Sequence, residues 1–290
     1  MKNSITPFLW FDGKAEEAAK LYTSLFNNSK IISMKHWEEG SPFPKEQIMA
    51  CVFELHGQRF HAFDAGPLFK FNATVSFFVV CETESEINKL WDGLIQDGKA
   101  MMPLDKYPWS ERYGWVQDRF GISWQLMLGD VSKMGQKIIP AFMFTGSQAG
   151  KAEQAIELYT KVFANSSIKD INRYVRGEGD TEGAIKHGRF TLSNQNFIAM
   201  DSSFMHGIAF NEAISLFIGC DTQEEIDYFW NKLIADGGQE SQCGWLKDKF
   251  GVSWQVVPTI LEKLLSDPAK APRVMQAFMK MEKFEIAKLL

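Results

Sequence analysis

The chain has 290 residues, of which 45% are hydrophobic and 13% aromatic, and it carries a formal net charge of −5. Its length suits two average domains, and its 24 Phe and 9 Trp exceed what minimal cores need, leaving aromatics for ligand-cavity walls. There is no long Lys/Arg run, no signal-peptide pattern in MKNSITPFLWFDG and no apolar stretch of bilayer length, so the expectation is a cytoplasmic protein with neither nucleic-acid nor membrane partners.

In chain order, Ile5–Phe11 reads as a buried strand because its aromatics run almost without break. Ala15, Ala18, Ala19, Tyr22, Leu25 and Phe26 then fall at helical spacing, and Asn27–Asn28 are suited to ending that helix in a left-handed conformation. Strands are predicted around Ile31–Trp37, Met49–Leu55 and Arg59–Asp64, with a turn at His56–Gly57. The pattern restarts with a strand at Thr74–Val80. Thr83 and Glu86 have capping-box spacing, and Ile87, Leu90, Trp91, Leu94 and Ile95 continue as an amphipathic helix. Two or three strands ending at Ile122–Leu128 complete the first half.

The second half repeats the first. GWVQDRFGISWQ (114–125) recurs as GWLKDKFGVSWQ (244–255), with eight of twelve positions identical. AEEAAKLYTSLFNNSKI (15–31) returns as AEQAIELYTKVFANSSI (152–168), and FNATVSFFVVCETESEINKLW (71–91) as FNEAISLFIGCDTQEEIDYFW (210–230). The second half adds SQAG (147–150), while the first adds residues around Pro103–Arg112, including Tyr107 and Trp109. Two domains, 1–136 and 137–290, are therefore expected, each an α+β unit of two βαβββ modules with curved mixed sheets and helices on the outer face. A tail from Thr259 to Leu290 reads as two short helices punctuated by Pro268 and Pro272. The four cysteines, Cys51, Cys81, Cys220 and Cys243, have no zinc-like spacing; Cys81 and Cys220 occupy equivalent apolar strand positions and read as reduced packing residues.

These modules, with the strings PFLWFDGKAEEAAKLY, GWVQDRFGISWQ and APRVMQAFMKMEKFEIAKLL, resemble the vicinal-oxygen-chelate superfamily of glyoxalase I, bleomycin-resistance proteins and extradiol dioxygenases. The resemblance is closest to its PhnB-like branch, labelled 3-demethylubiquinone-9 3-methyltransferase-like. It implies paired modules around a cleft, with metal ligands on the first, fourth, fifth and eighth strands of a domain. Those positions are Thr6, His61, Ser76 and Gln125 in the first half, and Ile139, Ile198, Ser215 and Gln255 in the second. Neutral hydroxyls and amides with one imidazole do not hold a divalent ion, so no metal is expected.

His61 reads as a hydrogen-bonded pocket residue or, alternatively, as a catalytic base. Gln125 and Gln255 suit ligand binding or local hydrogen bonding equally. Trp91, Trp230, Trp124 and Trp254 are expected in the core, whereas Thr6, Phe8, Trp10, His61, Phe63, Ser76, Phe78 and Trp109 are expected to line the first cleft with Gln125. Met143, Met200, Ser215, Phe217 and Gln255 are expected in a second, more aliphatic one. No Gly-rich strand-to-helix loop for a methyl donor or nucleotide is present, and no cofactor is expected. The leading expectation is capture of a small apolar or aromatic molecule. The alternatives are a lyase, isomerase or dioxygenase-like enzyme using His61 with or without a divalent metal, a methyltransferase as the family label has it, or a non-catalytic internal pseudo-dimer with a structural role, a homodimer being open as well.

Overall fold

The computed structural model describes residues 4–37 and 43–290, and in it the sequence periodicities resolve into four βαβββ modules. The first comprises β1 (Ile5–Phe11), α1 (Ala15–Leu25), β2 (Ser29–His36), β3 (Ile48–Leu55) and β4 (Gln58–Asp64). The second comprises β5 (Val75–Cys81), α2 (Glu84–Leu94), β6 (Lys99–Tyr107), β7 (Ser110–Gln117) and β8 (Ser123–Leu128). After the one-turn α3 (Val131–Met134) come β9 (Ile138–Phe144), α4 (Ala152–Val162), β10 (Ser167–Arg173), β11 (Ile185–Leu192) and β12 (Gln195–Asp201). The fourth module holds β13 (Ile214–Cys220), α5 (Gln223–Leu233), β14 (Gln239–Glu240), β15 (Trp245–Lys247) and β16 (Ser253–Pro258). The tail forms α6 (Ile260–Leu265), α7 (Ala271–Phe278) and a third turn, α8 (Ile286–Leu289), beyond the two helices expected. Pro272 lies in the first turn of α7, where its missing N–H would be unpaired in any case.

Local signals account for the element boundaries. Asn28 ends the α1 region at φ 50°, and His56 and Gly57 are both left-handed, as a two-residue hairpin turn requires. Thr83 Oγ1 accepts from Glu86 N at 3.1 Å, while the Glu86 carboxylate reaches back to Glu82 N at 2.8 Å; Thr222, Glu225 and Asp221 repeat this arrangement. Thr83→Ala is expected to cost about 1 kcal/mol in a urea titration. In the repeated DxFG turn, Asp118 Oδ1 accepts from Phe120 N (2.9 Å) and Ile122 N (3.0 Å) around left-handed Gly121. Its Oδ2 accepts from Tyr22 Oη (2.7 Å) and Trp124 Nε1 (2.8 Å). Asp248 does the same with Phe250, Val252, Tyr159 and Trp254. The recurring string therefore encodes a buried carboxylate that ties a turn to a strand and a helix.

Module pairing corrects the expected fold class. The sheets are not curved around a cleft within each half; they are two open, eight-stranded mixed sheets, each joining one module from each half. The first has the order β14-β15-β16-β13-β1-β4-β3-β2, and the second β10-β11-β12-β9-β5-β8-β7-β6. At their centres β1 pairs antiparallel with β13, Ile5 opposite Ile218, and β5 with β9, Val79 opposite Ile138. The leading strand of each module would otherwise be an unpaired apolar edge, and the other half supplies its partner.

The helices occupy the sheet faces opposite Phe8 and Trp10, which the modules of one half turn toward each other, so those modules pack back to back. Tyr22 of α1 meets Trp124 of β8 at 5.1 Å, and Phe60 of β4 meets Phe77 of β5 edge-on at 5.0 Å. Gly93 permits the approach of α2 to α1, since a Cβ there would lie 2.3 Å from Leu25. One apolar core runs through both halves and includes Trp124, Trp230 and Trp254, whereas Trp91 packs against it half-buried. Cys81 and Cys220 are free and buried, which pushes both thiols up to about 12. No helix among the described residues is long and apolar enough to cross a membrane.

Candidate functional site

Strand alternation turns Thr6, Phe8 and Trp10 away from the core. On that face of the first sheet, Phe8 stands in register with His61 on β4 and Ser215 on β13, and Trp10 with Phe63. Thr6 is opposite Phe217, which pairs with Gln255 on β16. The rings touch edge to face. Phe8–Phe63, Trp10–Phe63 and Trp10–Phe69 are each 4.9 Å apart, and His61–Phe217 are 4.8 Å apart. Trp245 of β15 lies 5.9 Å from both Phe8 and Trp10. All seven of these rings are half-buried. Phe69 and Trp245 were not expected here; the signal for Trp245 was its pairing position beside Gln255, three residues before Asp248 of the recurring turn.

Gln255 Nε2 donates to Ser215 Oγ at 2.8 Å. His61 has no hydrogen-bond partner among the described residues. Burial, followed by the nearby Arg59 charge, pushes its pKa down to about 4, leaving a neutral imidazole at pH 7.

The second sheet offers the equivalent face with different contents. Ser76, Phe78, Gln125, Ile139, Ile198, Met143 and Met200 share it. Gln125 Nε2 donates to Ser76 Oγ at 2.9 Å, and Tyr113 Oη donates to Gln125 Oε1 at 2.7 Å. Phe78, Tyr113, Ile139 and Ile198 form a buried cluster of their own. Trp109 stacks on Tyr107 at 5.0 Å but is 57% exposed, at the tip of the β6–β7 hairpin. His187 (6.3 Å from Phe78) and Arg189, whose guanidinium bonds Asp170, also reach this sheet; neither lies in a recurring motif, and neither was foreseen.

The structure thus divides the expected first-half set. Thr6 and His61 join Ser215 and Gln255, whereas Ser76 and Gln125 join Ile139 and Ile198. Trp10 and Trp109 do not wall the same pocket. Met143 and Met200 stand with Ser76, and Ser215 and Phe217 with Thr6.

The chemistry of these donors does not fit a divalent metal. Each Ser–Gln pair is hydrogen-bonded internally, each face has a single imidazole (His61 on the first, His187 on the second), and no group of three His, Cys, Asp or Glu residues suited to a metal occurs among the described residues. Nor does the first face fit a cationic methyl donor: Asp64, the strand's carboxylate, points to the helix side and accepts from Lys14 N, Ala15 N and Ile48 N. A cavity of about 640 Å³ adjoins Trp10 and Phe69 between the end of β1 and the β7–β8 turn, with Phe71, Arg119 and Phe120 on its far wall.

Residues 3–127, and again 136–257, match the family described as 3-demethylubiquinone-9 3-methyltransferase. The chain belongs to that family. It is a tandem, PhnB-like member of it. A solved PhnB protein from Bacillus cereus, a putative 3-demethylubiquinone-9 3-methyltransferase, is 44% identical over 43% of this chain and 98% of its own, with a TM-score of 0.42. Glyoxalase I from Zea mays is 11% identical with a TM-score of 0.59, covering 92% of the PhnB-like chain and 97% of the maize protein, which makes it a likeness of fold. A search of curated proteins found no match.

Proposed function

We propose that this PhnB-like chain binds a small, largely apolar or aromatic molecule on the first-sheet face, among Phe8, Trp10, His61, Phe63, Phe217 and Trp245. The observation that carries this reading is a set of touching aromatic rings left half-open on the side of the sheet away from the core. Contiguous apolar surface of this kind is otherwise unfavourable in water. The second-sheet face, whose Ser76, Gln125 and Tyr113 bond one another, is the lesser site. Naphthalene is expected to raise the melting temperature and to quench tryptophan fluorescence. Phe8→Ala should weaken its binding roughly tenfold or more through lost ring contact. A wild-type protein indifferent to naphthalene and to substituted naphthalenes would end the proposal.

One observation favours an enzymatic second reading: His61 is a neutral, unpartnered imidazole on that same face. If it removes a proton from the ligand, His61→Gln retains binding and abolishes turnover. In either case the second half, 137–290, takes the place of a dimer partner for 1–136, a reading supported by the exchange of modules between the sheets.

A further inference from the structure

The two sheet faces differ at one repeated position. On β8, Ser123 Oγ accepts from Trp115 Nε1 at 2.6 Å. The corresponding pair on the first sheet is broken: Trp245 lies across Phe8 and Trp10, and its indole N–H bonds nothing among the described residues. The equivalent of Ser123, Ser253, has an Oγ without a partner although the residue is 2% exposed. Ser253 shares its strand face with Gln255 and stands in register with Ser215, in the lateral row that continues through Phe8 to His61. A buried hydroxyl with no partner is unfavourable unless something else supplies the hydrogen bond.

Among the described residues, the groups on this face without a hydrogen-bond partner include the donors Trp245 N–H and the Ser253 hydroxyl, together with the His61 ring, all neutral at pH 7. The flanking cations lie outside the row: Arg59 is exposed, with Glu54 opposite it on β3, and Lys247 is paired with Glu212 at 2.8 Å. Neutral donors among aromatic walls suit a neutral acceptor, since placing an ion there would cost far more desolvation than placing a carbonyl.

Building on the ligand-binding reading, we infer that the ligand is an uncharged aromatic compound carrying a carbonyl or hydroxyl oxygen, and that Ser253 and Trp245 select it through that oxygen.

Calorimetric titration of the full chain with naphthalene, 2-acetylnaphthalene and 2-naphthoate tests this. The acetyl compound is expected to bind about fivefold or more tighter than naphthalene, the worth of one hydrogen bond. Ser253→Ala should remove that advantage and leave naphthalene affinity near its wild-type value, whereas Trp245→Phe, which also removes part of the aromatic wall, should remove the advantage and weaken naphthalene as well. Ser253→Ala should keep its melting temperature, because it deletes an unpaired group, whereas the control Ser123→Ala should lower the melting temperature without changing selectivity. Equal affinity for naphthalene and 2-acetylnaphthalene overturns the inference while binding itself stands. Preference for 2-naphthoate overturns the uncharged class. Failure of all three probes to bind overturns the underlying reading as well.

Discussion

Expressed alone, residues 1–136 are expected to form a dimer and not a folded monomer. The fragment keeps a core of its own, because its two modules meet back to back through Tyr22, Asp118, Trp124, Phe60 and Phe77. It loses the neighbours of both leading strands: β1 gives up β13, and β5 gives up β9. All seven residues of β5 are buried in the intact chain, and an uncovered apolar edge strand of that length seeks another strand. A second copy supplies one in the same alternation. β13 is the counterpart of β5, with Ser215 at the position of Ser76 and Ile218 at that of Val79, so β1 of one copy can pair with β5 of another. Sedimentation should show twice the fragment's mass, and adding separately prepared 137–290 should convert it to a one-to-one complex. A monodisperse, cooperatively unfolding monomer would mean that the strand pairing between halves is dispensable.

That pairing is also where the sequence was least informative. The helix of Ala15, Ala18, Ala19 and Tyr22, the capping boxes at Thr83 and Thr222, and the His56–Gly57 turn are local, and periodicity or turn chemistry reveals them. Which module pairs with which is not local. β5 and β13 carry the same alternation, so β1 meets equivalent side chains on either, and duplication makes the two assemblies indistinguishable by pattern. The candidate site suffered accordingly. Alternation puts Thr6, Phe8 and Trp10 on one inner face and the family resemblance adds His61, and the four are together on one face; Ser76 and Gln125, which the resemblance gives to the same centre, stand on the other sheet. Trp245 escaped notice because its string matches the one around Trp115; the difference lies in where the indole goes, which follows from Phe8 and Trp10 on a strand 235 positions or more earlier. The third tail helix, IAKL, is too short to show a period.

Asp248→Ala is expected to destabilise the chain by roughly 3–5 kcal/mol, the largest effect anticipated for a single side chain. Asp248 is 3% exposed, and its carboxylate accepts from Tyr159 Oη (2.6 Å), Trp254 Nε1 (2.9 Å), Phe250 N (2.9 Å) and Val252 N (3.1 Å). Alanine leaves four donors without that acceptor and opens a cavity beside Trp254. The group also gives the stability a pH signature. Burial raises its pKa from the usual 3.8 to about 6, against the lowering effect of those four hydrogen bonds. The folded protein therefore takes up a proton on Asp248 before the unfolded chain does, so this group's contribution is greatest below pH 4 and falls as pH rises through 6. Asparagine at 248 does not titrate. The stability of the wild type relative to Asp248→Asn should therefore increase by about 2 kcal/mol between pH 8 and pH 4. His61 has the opposite sign, since its lowered pKa makes its contribution decline as pH falls from 6.5 toward 4. It is present in both proteins and cancels in the difference. Denaturant titrations across that range check the sign. A difference that stays flat, or that favours Asp248→Asn as the solution is acidified, would mean that the four donors outweigh burial and that the carboxylate remains ionised in the fold.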